Sequence, residues 1–313
     1  MTQSITTPFG AQSTASDVLT GIDLTGRRAV VTGATGGLGR ETARALAASG
    51  AEVTVAGRIL RTATTAAREI ATETGNRLTR AAQLDLADPE SVAAFAAGWS
   101  GPLHILVNNA GIMATPELRT STGRELQFAT NHLGHFALTV RLHDALAAAG
   151  DARVVVLSSV GHINGPVRFD DPDFTKEPYD PWLAYAQSKT ANILFAVEAA
   201  RRWKADGIAV NACNPGRIWG TGLGRHMDTP PAAFDPAGTS GVSEKDIPQG
   251  AATSVLLAAS PWSDGVTGRY FEDCQEAPPH VPGVRRGVAA YAVDPDNARK
   301  LWDLSLRLTA ADQ

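Results

Sequence analysis

The sequence predicts one α/β domain, a doubly wound and mostly parallel sheet of seven strands with helices on both faces. Three observations predict it. Short β-branched runs alternate with alanine-rich helical stretches through most of the 313 residues, and parallel strands need such crossover helices. Glycine turns such as NNAG and NPG follow the expected strand ends. No linker-like composition divides 25–313, and a chain of this length buries a substantial single core.

In chain order, 1–24 is rich in Ser, Thr and Gly without sustained periodicity, which predicts a flexible N-terminal arm. Strands are expected near 28–33 (RRAVVTG), 52–57 (AEVTVAGR), 78–84 (RLTRAAQLDL) and 103–108 (LHILVNNAG). Helices lie between them at RETARALAASG, through about Thr74, and from Pro89 to Gly98. Long helices near 123–149 and 183–206 bracket a fifth strand, ARVVVLSS, while IAVNACNPG supplies a sixth and GVTGRYF a seventh. The stretches near 161–182 and 216–248 read as insertions after strand ends, where such sheets take ligands, and as a candidate substrate lid.

Composition narrows the function classes. Hydrophobic residues make up 43% and charged ones 19%, as in a folded chain and unlike a disordered one. With 28 basic against 32 acidic residues, the net charge of -4 lacks the basic footprint of a nucleic-acid binder. No long uncharged apolar run predicts a membrane span. The first residues lack the basic start and apolar stretch of an export signal. Cys213 and Cys274 could form at most one disulfide, and the whole pattern predicts a cytoplasmic protein. Asp170, Asp171 and Asp173 lack the spacing and terminal Glu of a calcium loop and read as a solvated acidic turn; with no HExxH or CxxC pair, no metal is expected.

VVTGATGGLGRETA places Gly33, Gly37 and Gly39 between the first strand and first helix. Glycines there let a dinucleotide pyrophosphate approach the backbone amides at a helix N-terminus. The spacing G-x-x-x-G-x-G departs from the commoner fingerprint, and a plain tight turn is the alternative reading. An NAD site would carry an Asp or Glu about 20 residues on, to hold the ribose hydroxyls. This chain has Gly57 followed by Arg58. Loss of the carboxylate removes repulsion from a 2'-phosphate and a guanidinium pairs with one, so NADP(H) is the expected cofactor and NAD the alternative. Arg40, beside Gly39, adds positive charge, although both arginines also read as ordinary solvated side chains. Asp85 is placed to accept from the adenine amino group or to cap the helix that follows. Asn108, Asn109, Ala110 and Gly111 present backbone atoms to a ribose or simply close a turn.

SSVGH at 158–162 and AYAQSK at 184–189 carry the chemistry. Tyr185 and Lys189 are four apart and share a helix face. An ammonium beside a phenol favours the phenolate, and Ser159 at a strand end can hold a carbonyl or alcohol oxygen. Alone, such a Tyr–Lys pair is ordinary surface packing.

With these motifs in this order, the sequence resembles the short-chain dehydrogenase/reductase family from about residue 25 to 309. TGATGGLG is similar to its cofactor turn, NNAG to its fourth-strand motif and Tyr185-Ala-Gln-Ser-Lys189 to its catalytic Tyr-x-x-x-Lys. NHLGHF at 131–136, QSKTANILF at 187–195, QGAATS at 249–254 and GRYFEDC at 268–274 resemble, more narrowly, the retinol dehydrogenase-like and protochlorophyllide reductase-like branch. The resemblance implies a Rossmann-type fold and roles for four residues. Ser159 would orient substrate and Tyr185 would act as acid/base. Lys189 would lower the tyrosine pKa and bind the nicotinamide ribose, and Asn131 would hold a water in a proton relay. Cofactor contacts would extend to Thr35, Leu38, Leu86, Ala110, Gly111, Pro215, Gly216, Ile218 and Thr221, although NPGRIWGTG has Gly220 where the family pattern has its threonine.

The implied activity is NADP(H)-dependent hydride transfer to or from a carbonyl or alcohol; reduction of a conjugated double bond and non-catalytic dinucleotide binding are the alternatives. Family practice implies a homodimer through the helices near 123–149 and 183–206. Phe169, Phe174, Tyr179, Trp182, Trp219 and Met227 would form an apolar mouth for a lipophilic or aromatic small molecule, or pin the loops that carry them.

Overall fold

The computed structural model describes residues 4–224 and 241–312. Its first half runs α1 (Ala15–Leu19), β1 (Arg28–Thr32), α2 (Gly37–Ala48), β2 (Glu52–Gly57), α3 (Leu60–Thr74), β3 (Arg80–Gln83), α4 (Pro89–Ala97) and β4 (Ile105–Asn108). It continues through α5 (Leu126–Phe128), α6 (Gly134–Arg141), α7 (His143–Ala147), β5 (Ala152–Leu157), α8 (Pro181–Arg202) and β6 (Ile208–Asn214). The chain closes with β7 (Arg217–Ile218), β8 (Glu244–Lys245), α9 (Ile247–Ala259), β9 (Tyr270–Glu272), β10 (Gln275–Glu276) and α10 (Pro295–Ala311).

The main sheet has the order β3-β2-β1-β4-β5-β6-β9-β10, and β7 pairs with β8 separately. All pairs in the main sheet are parallel except β9 with β10. The seven expected strands are thus present, and the eighth is a two-residue return whose turn, Asp273 and Cys274, adopts positive φ. Successive side chains alternate faces. Val31, Val53, Val55 and Val107 pack under α2, α3 and α9, while Val30, Leu106, Val154 and Val156 pack under α6 and α8. The strand order reverses between β1 and β4, which opens a crevice at their C-terminal ends.

Two expectations are corrected. The long helix near 123–149 is broken into α5, a π-helical turn at Ala129–Leu133, α6 and α7. The turn lets Asn131 face inward, and Gly134 beyond it presses on the Leu86 carbonyl, where no Cβ would fit. The N-terminal stretch is docked from residue 4 onward. Thr14 and Asp17 form a capping box that starts α1, and Ala15, Val18 and Leu19 are buried in the core cluster shared with α9. Five residues of helix are too few for periodicity to register. Helix α8 packs mainly within its own chain. Nearly all of it from Ala184 to Ala200 is buried, and Ala298 and Leu301 of α10 pack on Ala191 and Leu194.

Candidate active site

At the crevice lies a cleft of about 970 Å³. One side is built by backbone. Thr32 ends β1, and its hydroxyl accepts from the Asn109 and Ala110 amides at 2.9 and 3.0 Å, while Asn109 Nδ2 donates to the Thr32 carbonyl at 2.7 Å. The strand ends are therefore pressed together, and glycine is the residue that permits it. A Cβ on Gly33 would lie 2.8 Å from Ala110 Cα, and one on Gly39 would lie 2.6 Å from the Gly33 carbonyl oxygen. These two glycines serve contact within the protein. Gly36, which the motif reading passed over, is the N-cap of α2 and has open space where a Cβ would be; Gly37, at φ +55, faces Thr221. Leu38 and Ile218 meet over Gly250 of α9 and close the wall. Asn109 thus stitches two strand ends together, and Asn108 is turned away to Thr139 at 2.9 Å.

At the far end of this side, a Cβ on Gly57 would lie 2.6 Å from Thr35 Cγ2, so a larger residue there needs the threonine side chain to shift. Exposed Arg58 lines the cleft next to it. Arg40 does not line it: its guanidinium is held by Glu73 at 2.5 Å and Glu69 at 3.3 Å, on the outer surface of α3. Asp85 lines the cleft with Leu86, and its carboxylate accepts from the Ala87 amide at 3.0 Å. The cap of α4 is Asp88 instead.

The other side is built by side chains. Asp180 and Pro181 start α8, which carries Tyr185 and Lys189 on one face beside Ser159 at the end of β5. Burial pushes the Tyr185 phenol up to about 12, against the contact with the Ser159 hydroxyl, which lowers it. Burial pulls the Lys189 ammonium down to about 8. In the chain by itself, burial therefore outweighs the phenolate-favouring effect expected of the lysine, whose Nζ lies 5.7 Å from the tyrosine ring centroid and donates to the Leu157 carbonyl at 3.1 Å. Gly161 makes room for the tyrosine: a Cβ there would lie 2.9 Å from Cε1.

Asn131 stands behind the cleft wall, fully buried. Its Oδ1 accepts from the Ile112 amide at 2.9 Å, and its Nδ2 donates to the Ile112 carbonyl at 2.9 Å and Ser188 Oγ at 3.0 Å. Both hydrogens of its amide nitrogen are thus committed to protein partners.

Pro215, Gly216, Gly111 and Thr221 line the cleft as expected. The apolar mouth comes from elsewhere than the 161–182 aromatics. Met113, Leu118, Leu126, Val160, Trp219 and Val242 line it. Phe174 is buried against Tyr179, whose hydroxyl accepts from Gln127 Nε2 at 2.8 Å, so these aromatics pin their loop. Asp171 and Asp173 are buried too, contrary to a solvated turn: Asp171 accepts from the Thr175 and Lys176 amides, and Asp173 from the Glu125 amide. No metal-binding group of side chains occurs among the described residues. Residues 225–240 of the second expected lid segment, Met227 among them, lie outside the described residues.

A family model described as short chain dehydrogenase matches residues 27–230. The chain belongs to this family. Among family relatives, it is 55% identical over 295 residues to a "Probable oxidoreductase" of Streptomyces antibioticus, covering 90% of this chain and 97% of that one. It is 36% identical over 318 residues to retinol dehydrogenase 13 of Homo sapiens, covering 98% and 93%. The crystal structure of a gluconate 5-dehydrogenase from Burkholderia cenocepacia, in complex with NADP and tartrate, aligns with a TM-score of 0.63 at 27% identity, covering 80% of this chain and 94% of that one. The chain is thus an oxidoreductase of the short-chain dehydrogenase family, with a dinucleotide-binding fold. No helix among the described residues is long and apolar enough to cross a membrane.

Proposed function

We propose that this oxidoreductase uses NADP(H) to pass hydride to or from the carbonyl or alcohol carbon of a lipophilic or aromatic small molecule. The observation that carries the reading is the meeting of Ser159, Tyr185 and Lys189 in the cleft that the α2 glycine turn also enters. The residues fit a dinucleotide. Gly36 leaves open space at the α2 N-terminus, Gly57 stands where an NAD site would carry a carboxylate, and Arg58 offers its charge at that end. The NADP bound in the Burkholderia relative supports the same choice. The apolar mouth and the likeness to a retinol dehydrogenase support a lipophilic substrate and the narrower branch. The buried free thiols Cys213 and Cys274 fit a reducing cytoplasm.

Bound NADP(H) supplies the hydride. The chain contributes orientation and the proton. Ser159 and Tyr185 hold the substrate oxygen; Tyr185, protonated in the buried site, donates to that oxygen in reduction and takes the proton back in oxidation. Lys189 keeps an ammonium beside it and would hold the cofactor ribose, while Asn131 fixes Ile112 and Ser188 behind them.

The test is turnover of a panel of lipophilic and aromatic aldehydes, ketones and alcohols with each cofactor, by the wild type and Tyr185→Phe. We expect NADP(H)-dependent turnover that falls at least about 100-fold in Tyr185→Phe, with cofactor affinity retained. Equal turnover by the two proteins, or bound cofactor with no turnover on any member, would overturn the reading and leave a dinucleotide-binding protein.

A further inference from the structure

We infer that His162 is a positioning residue for Ser159, clamping the substrate-orienting serine to the C-terminal segment 278–292. The inference rests on the reading of Ser159 and Tyr185 given above.

Ser159 stands where β5 has run out of sheet partners, so its carbonyl needs donors from elsewhere. His162 supplies both, its amide at 3.1 Å and its ring Nδ1 at 2.7 Å. The opposite ring nitrogen, Nε2, accepts from the Ala289 amide at 3.1 Å. A backbone amide can only donate, so Nε2 is unprotonated and the proton sits on Nδ1, aimed at Ser159. The same residue is held a third time, through its own carbonyl, which accepts from Tyr291 Oη at 2.7 Å and Thr190 Oγ1 at 3.2 Å. Its ring is fully buried and packs edge-on against Tyr270 at 5.0 Å.

A histidine used only to fill space would not need both nitrogens engaged in opposite senses. This one joins two places distant in sequence. On one side is the serine, whose hydroxyl accepts from the Gly161 amide at 3.0 Å and faces Tyr185. On the other is a segment beyond the family match, which ends at residue 230. The orientation of the serine is thereby made to depend on the C-terminal segment of the chain. A misplacement of the substrate oxygen that is small on the scale of a bond length is enough to slow transfer.

The two nitrogens can be separated by substitution. In His162→Asn the amide nitrogen stands near the place of Nδ1 and keeps the donor to Ser159 while losing the acceptor for Ala289. In His162→Gln the amide oxygen stands near the place of Nε2 and keeps the bond to Ala289 while losing the one to Ser159. With NADPH and benzaldehyde, we expect kcat to fall about ten-fold in His162→Gln, roughly the effect of one lost hydrogen bond, and to stay within about two-fold of wild type in His162→Asn. NADPH affinity should be unchanged in both. Hydrogen exchange across 159–162 in the NADP(H) complex reads the same clamp without turnover: it should rise in His162→Gln and not in His162→Asn. Equal effects in the two variants, or losses of kcat and protection that follow melting temperature alone, would overturn the inference. Tyr185→Phe separates the two levels of argument. If it cuts turnover at least about 100-fold while His162→Gln leaves kcat within about two-fold of wild type, only the clamp is wrong; if it does not, the site reading itself fails.

Discussion

The two sides of the cleft are made in different ways. On the side of β1, β2 and β4, function is carried by backbone, and the informative residues are those whose side chains are missing: Gly33, Gly39 and Gly57 each stand where a Cβ would meet a neighbour within 3 Å. On the side of β5 and α8, the surface is built by polar side chains, half-buried Ser159 beside buried Tyr185 and Lys189. Ser159 is held by His162, and Lys189 by the Leu157 carbonyl. A backbone-built surface has few ways to titrate. A side-chain-built one depends on protonation states that burial has fixed.

The largest difference should therefore come from acid. Burial lowers His132 to about 3 and both His135 and His162 to about 4, from an ordinary value of 6.5. The unfolded chain takes up protons at these histidines below pH 6.5 and the folded chain does not until pH falls to about 4. Stability is thus present above pH 6.5 and lost as pH falls toward 4, by on the order of a few kcal/mol for each group. Glu125 acts in the opposite sense: burial raises it to about 7, so the stability associated with its neutral form is lost as pH rises through that value. Urea melts from pH 7 down to pH 4.5 check the histidine effect, and a midpoint that does not move would break the contrast.

The next effect belongs to the backbone side. Gly39→Ala adds a methyl against the Gly33 carbonyl and Asn109, and should cost about 1–3 kcal/mol of stability. NADPH binding should weaken with it, because the strand ends must part. Thermal melts and calorimetry on the same preparation check both, and unchanged affinity would mean the turn does not touch the cofactor.

The smallest effect compares two arginines in that region. Arg58→Ala should weaken NADPH by about ten-fold and NADH little, as expected for one exposed charge-assisted contact. Arg40→Ala should leave both dissociation constants within about two-fold, since Glu69 and Glu73 already hold that guanidinium. Equal losses from the two substitutions would show that neither arginine reads the 2'-phosphate.

The backbone side was the more legible in sequence. Gly33, Gly39 and Gly57 stood out because a glycine at a strand end has few other reasons to be there. The strands were legible because a run buried on both faces is continuously apolar. On the other side, Ser159, Tyr185 and Lys189 were legible and their supports were not. Nothing in the spacing of His162 and Ala289, 127 residues apart, announces a hydrogen bond. The π-helical turn at Asn131 was hidden for a related reason, because an apolar pattern of helical period continues through it and the break is made by tertiary contacts with Ile112 and Ser188. The aromatics of 161–182 could be read as a mouth or as pins for their loop, because composition does not say which way a ring points; Phe174 and Tyr179 are pins.

The docked N-terminal segment has a consequence for how the molecule stays separate from its neighbours. β10 is the last strand of the main sheet, and an open last strand is a template for another chain. Here Ile5 trades bonds with Glu276, Thr7 accepts from and donates to Gln275, and the Thr7 hydroxyl reaches the Cys274 carbonyl. The first residues therefore act as a selvedge on the fabric of the sheet. A chain trimmed of them would keep its cleft intact while baring the Glu276 amide and the Cys274 carbonyl at that edge, and the damage would be read first in light scattering and only later in catalysis.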